Sequence, residues 1–114
     1  MPGKAQVPAQ IAAGVALSGV VLLQRGAIVA ISVPANWTAA VITFLHSTDN
    51  NVDTFKSVFD KTGAEYSITV VAGNLVAIPS TDLTGLRYIQ VRSGTKAAPV
   101  NQVNAVTLFI IMTD

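Results

Sequence analysis

Apolar residues in this 114-residue chain come in short, β-branched runs, each ended by proline, glycine or an Asp/Asn cluster. Ala27-Ile28-Val29-Ala30-Ile31-Ser32-Val33 is closed by Pro34, which has no N–H to give a sheet ladder. Ala40 to His46 runs into Ser47-Thr48-Asp49-Asn50-Asn51. Tyr66 to Val70 alternates apolar with polar, the mark of a half-buried strand, and Leu75 to Ile78 lies between the turn Gly73-Asn74 and Pro79. Leu86 to Val91 sets Leu86, Tyr88 and Gln90 on one face and Arg87, Ile89 and Val91 on the other, so one face is expected in the core and the other partly covered. Val106 to Met112 is nearly all apolar and reads as a central strand. No segment keeps a helical period behind an N-cap, although Pro79–Leu83 has room for one short turn. Short strands with turn signals every ~8–12 residues predict an all-β fold, a sandwich or barrel.

Charge is the second constraint. Only 11% of the residues are charged, against roughly a quarter in ordinary soluble domains, while 51% are hydrophobic. No ionised side chain falls between Lys4 and Arg25, and none but the near-neutral His46 between Gly26 and Thr48. A small domain has much surface for its volume and normally keeps it soluble with charge. The expectation is therefore an assembly subunit, with part of its exterior covered by other copies or another protein. A net charge of +1 gives no electrostatic case for nucleic acid or an acidic membrane. Cysteine is absent, which removes disulfides, thiolate metal sites and cysteine nucleophiles together.

The first 25 residues differ from the rest. Ile11–Leu23 is the most membrane-like stretch, but glycines dilute it and Gln24-Arg25 ends it short of the roughly 18–20 apolar residues of a spanning helix. A cleaved leader or membrane anchor is not expected, and synthesis in the cytoplasm is. Two readings stay open for residues 1–25: an extended N-terminal arm that leaves the domain to lie on a neighbour, or an edge strand. Residues 26–114 form the sandwich domain in either case.

Candidate chemistry is sparse. Asp49, Asn51 and Asp53 alternate as oxygen ligands do in a calcium loop, but Thr54 stands where a sharp bend needs glycine and Asp60 where a bidentate glutamate is usual. A solvated turn is the better reading. His46 has no second histidine or cysteine at ligand spacing, the serines lack a nucleophile-elbow context, and Gly85 and Gly94 are isolated turn glycines. No catalytic, cofactor or metal residues are assigned. Asn36-Trp37-Thr38 fits a glycosylation acceptor, which matters only in a eukaryotic secretory protein. Trp37 reads as a corner indole packed on the core; the alternative is an exposed platform that stacks on a sugar, making the chain a carbohydrate-binding module of a phage or bacterial surface protein.

Several segments in order carry a resemblance. Pro34-Ala35-Asn36-Trp37-Thr38-Ala39-Ala40 leads into Ile42-Thr43-Phe44, and Gly63-Ala64-Glu65-Tyr66 follows. Arg87-Tyr88-Ile89-Gln90-Val91-Arg92-Ser93-Gly94-Thr95 and Pro99-Val100-Asn101-Gln102 are the most specific pieces. From about Gly26 to Thr107 this pattern resembles the cement or decoration proteins encoded beside capsid genes in tailed bacteriophages and prophages. Asn50-Asn51 stands where relatives often have Asp-Gly.

The resemblance implies a jelly-roll-like β-sandwich on the outer capsid surface of a virion, made in the bacterial host cytoplasm. It implies a structural role across neighbouring major capsid subunits, and it brings no catalytic residue. The expected partners are the major capsid protein and the chain itself, as a homodimer with a trimer the next choice. Val7, Ile11, Val15 and Leu17 on the arm are expected to reach a neighbouring subunit. Arg25, Arg87 and Arg92 are expected to offer planar five-donor forks to capsid carboxylates.

Overall fold

The computed structural model describes residues 4–23 and 26–113. It contains two antiparallel sheets around one core, an all-β arrangement compatible with a β-sandwich. In chain order the strands are β1 (Lys4–Ile11), β2 (Val21–Leu22), β3 (Ala27–Ser32), β4 (Ile42–Ser47), β5 (Lys56–Ser57), β6 (Ser67–Ile68), β7 (Leu75–Ala77), β8 (Tyr88–Ser93) and β9 (Val106–Thr113). The first sheet runs β1-β9-β3-β7, and the second runs β2-β8-β4-β5 with β6 also paired to β4. The only helical feature among the described residues is one 3-10 turn, Val52–Thr54; Pro79–Leu83 holds a turn closed by Asp82 N–H to the Pro79 carbonyl.

Period-two alternation fixes which side chains meet between the sheets. From the first sheet come Ala9 and Ile11 of β1, Ile31 of β3, and Val106, Leu108, Ile110 and Met112 of β9. Ile42 and Phe44 of β4 face them with Ile89 and Val91 of β8. The β9 run lies between β1 and β3, a central position as its apolar composition predicts. A register shift between Ile28 and Ala30 bulges β3. It lets Ile28 and Ile31, three residues apart, both reach the core.

Residues 4–11 take the edge-strand alternative within this chain: β1 pairs with β9 in unbroken register from Lys4 opposite Thr113 to Ile11 opposite Val106. Pro8 is tolerated because only one side of an edge strand is hydrogen-bonded. The chain then crosses to the other sheet, where Leu17 bridges Arg92 and β2 pairs with β8.

A buried glutamine stands beside this crossing. Gln102 is fully buried; its Oε1 accepts from Thr38 N–H at 2.7 Å, and its Nε2 donates to the Thr38 carbonyl at 3.0 Å and to Ser93 Oγ at 2.8 Å. Its backbone carbonyl accepts from Gly14 N–H, and its N–H donates to the Val15 carbonyl. One residue thus ties three places together: its side chain holds the corner after β3 to the end of β8, and its backbone holds the crossing segment. Gly94, just past β8, has a φ of 89°, and a Cβ there would sit 2.5 Å from the Ala98 carbonyl oxygen. The residue must be glycine for the 95–99 turn to fold back.

Candidate interaction surfaces

The sequence-predicted residues scatter when placed on this fold. Val7 and Ile11 point inward from β1: Ile11 is fully buried and Val7 half-buried against the core. Their assignment to an external contact is corrected, because alternation puts them on the face that β1 turns toward the second sheet. Val15 and Leu17 are exposed, and Val20 and Leu22, which the sequence reading passed over, are exposed beside them. Leu17 is opposite Arg92 and Leu22 opposite Tyr88, so an uncharged apolar row follows the β2 edge of the second sheet. Arg87 is exposed and lies over the Tyr88 ring at 5.6 Å. Arg25 falls outside the described residues.

Arg92 is a second correction. It is 9% exposed, and its guanidinium is already committed inside the chain. Nε donates to Thr43 Oγ1 at 3.0 Å, and Nη2 donates to Ser57 Oγ and pairs with Glu65 Oε2. Glu65 also accepts from Lys96 N–H at 3.2 Å, and Thr43 Oγ1 donates to the Gly94 carbonyl at 2.7 Å. Arg92 therefore pins the 57–67 hairpin over the outer side of β4 and β8, with Nε and Nη2 already spent inside the chain rather than on a partner's carboxylate.

Trp37 is 6% exposed, and its Nε1 donates to the Ala40 carbonyl at 3.3 Å. The corner reading stands, and the exposed sugar platform at Trp37 is overturned, since a stacked ring must offer its face to solvent. The Asp49 loop satisfies itself. Asp49 Oδ1 accepts from Ser47 Oγ at 3.0 Å, Thr54 Oγ1 at 2.6 Å and Asn51 N–H at 3.1 Å. These bonds, Thr54 foremost, hold its carboxyl below the usual carboxylate range. Among the described residues no group of three or more His, Asp or Glu is placed to hold a metal ion.

His46 ends β4 with Nε2 accepting from Arg87 N–H at 3.1 Å, and no serine hydroxyl hydrogen-bonds it among the described residues. Burial pushes its pKa below the ordinary 6.5. The folded state thus takes up this proton at lower pH than the unfolded chain, so stability rises with pH through the window below 6.5. Protonation also removes the acceptor for Arg87 N–H. Urea midpoints measured from about pH 7.5 down to 5 are expected to show a loss of up to about 1 kcal/mol, the worth of one hydrogen bond. That slope should disappear in His46→Phe; an equal slope in the variant would refute the assignment.

A second uncharged surface is the outer face of the first sheet. Register and burial place four side chains in one row across it: Pro8 of β1, Phe109 of β9, Ser32 of β3 and Leu75 of β7. The next row is Gln6, Ile111, Ala30 and Ala77. Gln10 and Thr107 continue it at one end. None of these ten side chains is ionisable. Leu75 is 62% exposed and Phe109 36%, so large apolar groups stand in water there. The β9 run gave no sign of this, because an unbroken apolar strand reads as buried on both faces.

No helix among the described residues is long and apolar enough to cross a membrane. No protein-family model, curated protein or solved structure matches this chain.

Proposed function

We propose that this chain is a capsid cement or decoration protein of a tailed bacteriophage, a jelly-roll-like sandwich that binds across neighbouring major capsid subunits on the outside of the shell and resists their separation. The observation that carries this reading is the outer face of the first sheet, four strands wide without an ionisable side chain between Gln6 and Ala77. Such a face costs solubility in a free domain and is useful in an assembled one. The resemblance of the Arg87–Thr95 and Pro99–Gln102 segments supplies the kind of assembly. The chemistry of the polar groups agrees with a passive role: Arg92, Glu65, Gln102 and Asp49 all spend their hydrogen bonds inside the chain.

The mechanism needs no chemistry. Each copy buries apolar surface outside that face, Val15, Leu17, Val20 and Leu22 among it, against two or more subunits, so pulling them apart must also break the cement contacts. Many weak contacts on one shell then add by avidity. From the N-terminal segment, the exposed Val15 and Leu17 that follow β1 are the residues left free to meet an adjacent subunit. Expanded shells of the same phage's major capsid protein are expected to carry the purified protein down in sedimentation and to survive heating better with it. Shells that pellet without it would refute the proposal.

A further inference from the structure

We propose that the outer face of the first sheet is a homodimer interface in which two copies stack face to face about a two-fold axis running along the strands between β9 and β3. This deepens the cement reading, on which its use in bridging subunits rests, but it stands on the geometry of the isolated chain.

The strand order β1-β9-β3-β7 places two strands on each side of that axis. Rotation by half a turn about a line in the interface plane lays each cross-strand row back over itself, reversed. In the row Pro8, Phe109, Ser32, Leu75, the Phe109 ring then lies over Ser32 of the partner subunit and Pro8 over Leu75 of the partner subunit. In the row Gln6, Ile111, Ala30, Ala77, Ile111 lies over Ala30 of the partner subunit and Gln6 over Ala77 of the partner subunit. The two bulky residues of β9 form a ridge, and the two small residues of β3 beside it form a trough. The operation puts each ridge in the other copy's trough. A two-fold interface requires this kind of self-complementary surface, and aligned packing of sheets supplies its distance, about 10 Å between backbones.

Charge and area point to the same occupant. The ten residues of these rows carry no ionisable group, so a second copy laid over them meets no charge there; Lys4 lies one row beyond, at the start of β1. Strand rise and spacing give it a footprint of roughly 20 Å by 15–20 Å. With side-chain relief, two such faces withdraw close to the ~1,000 Å² at which a contact between proteins becomes specific. That size suits a dimer of micromolar rather than nanomolar strength.

The test uses purified full-length protein and sedimentation velocity at about 10–200 μM, a range that brackets such a constant. The wild type is expected to form dimers. Phe109→Glu sets a carboxylate in an apolar trough, and Ser32→Arg fills that trough, so each alone should weaken the dimer at least about tenfold. Both positions are on the solvent side of the sheet, and thermal unfolding checks that the variants remain folded. Mixed one to one, the two variants should recover dimers, because the introduced carboxylate of one copy then meets the introduced guanidinium of the other while the second contact stays wild type. A monomeric wild type, single variants that still dimerise, or a mixture that remains monomeric would each overturn the proposal. A monomeric wild type that still binds shells would overturn the dimer and leave the cement reading standing. A dimer that never binds shells would do the reverse.

Discussion

Replacing Arg92 with alanine is expected to cost about 3–5 kcal/mol of folding stability, towards the lower end because Glu65 keeps some contact with solvent. The magnitude comes from what is left behind rather than from the bond lost. Glu65, 15% exposed with the arginine in place, would be left with only Lys96 N–H to balance its charge, and Thr43 Oγ1 and Ser57 Oγ would each lose a donor. Replacing both partners by apolar groups, as in Arg92→Met with Glu65→Leu, should recover much of the loss, since no charge is then stranded. Urea unfolding of the two variants measures the difference. Hydrogen exchange should also quicken at Tyr66 N–H, which bonds the Val58 carbonyl within the pinned hairpin. A loss below about 1 kcal/mol for Arg92→Ala would mean that the ion pair behaves as an exposed one.

Gln102→Leu is the second large effect, about 3 kcal/mol and a melting temperature roughly 10–15 °C lower in a domain of this size. Leucine fills nearly the same volume, so no cavity opens. The half-buried Thr38 N–H and carbonyl and the fully buried Ser93 Oγ lose their partner. Gln102→Glu should rescue only part, because one carboxylate oxygen can accept from Thr38 N–H while the other faces a carbonyl that offers no proton. If leucine is neutral here, the amide is not what holds the corner after β3 to the end of β8.

The strands were legible because their signals are local. Pro34 and Pro79 stop runs, Asn50-Asn51 and Gly73-Asn74 turn the chain, and alternation at Ile89 and Val91 picks the core face. Trp37 was read into the core on the same grounds. The contacts that decide the surface were not legible, since they join residues far apart in sequence. Glu65 lies far from Arg92 along the chain, and nothing near either residue announces their pairing, so Arg92 looked like a free strand-end charge. Ile11 and Val7 looked available because alternation does not say which face of an edge strand meets the core. Phe109 and Ile111 were hidden by their neighbours: in an all-apolar run, inward and outward positions have the same composition. Scarcity of charge did signal that some surface is covered, but its location required the register of β1, β9, β3 and β7.

Pro8 has one further consequence. A free strand edge with its full set of amide donors is a template on which other chains can be added without limit, and a protein so short of repelling charge would be prone to fibril growth. Pro8 interrupts the donors of β1, the longest edge strand; β7 has three residues before it meets Ile78 and Pro79, and β2 has two. With edgewise addition blocked in this way, stickiness is confined to faces, where contacts close on themselves and growth stops at a finite particle.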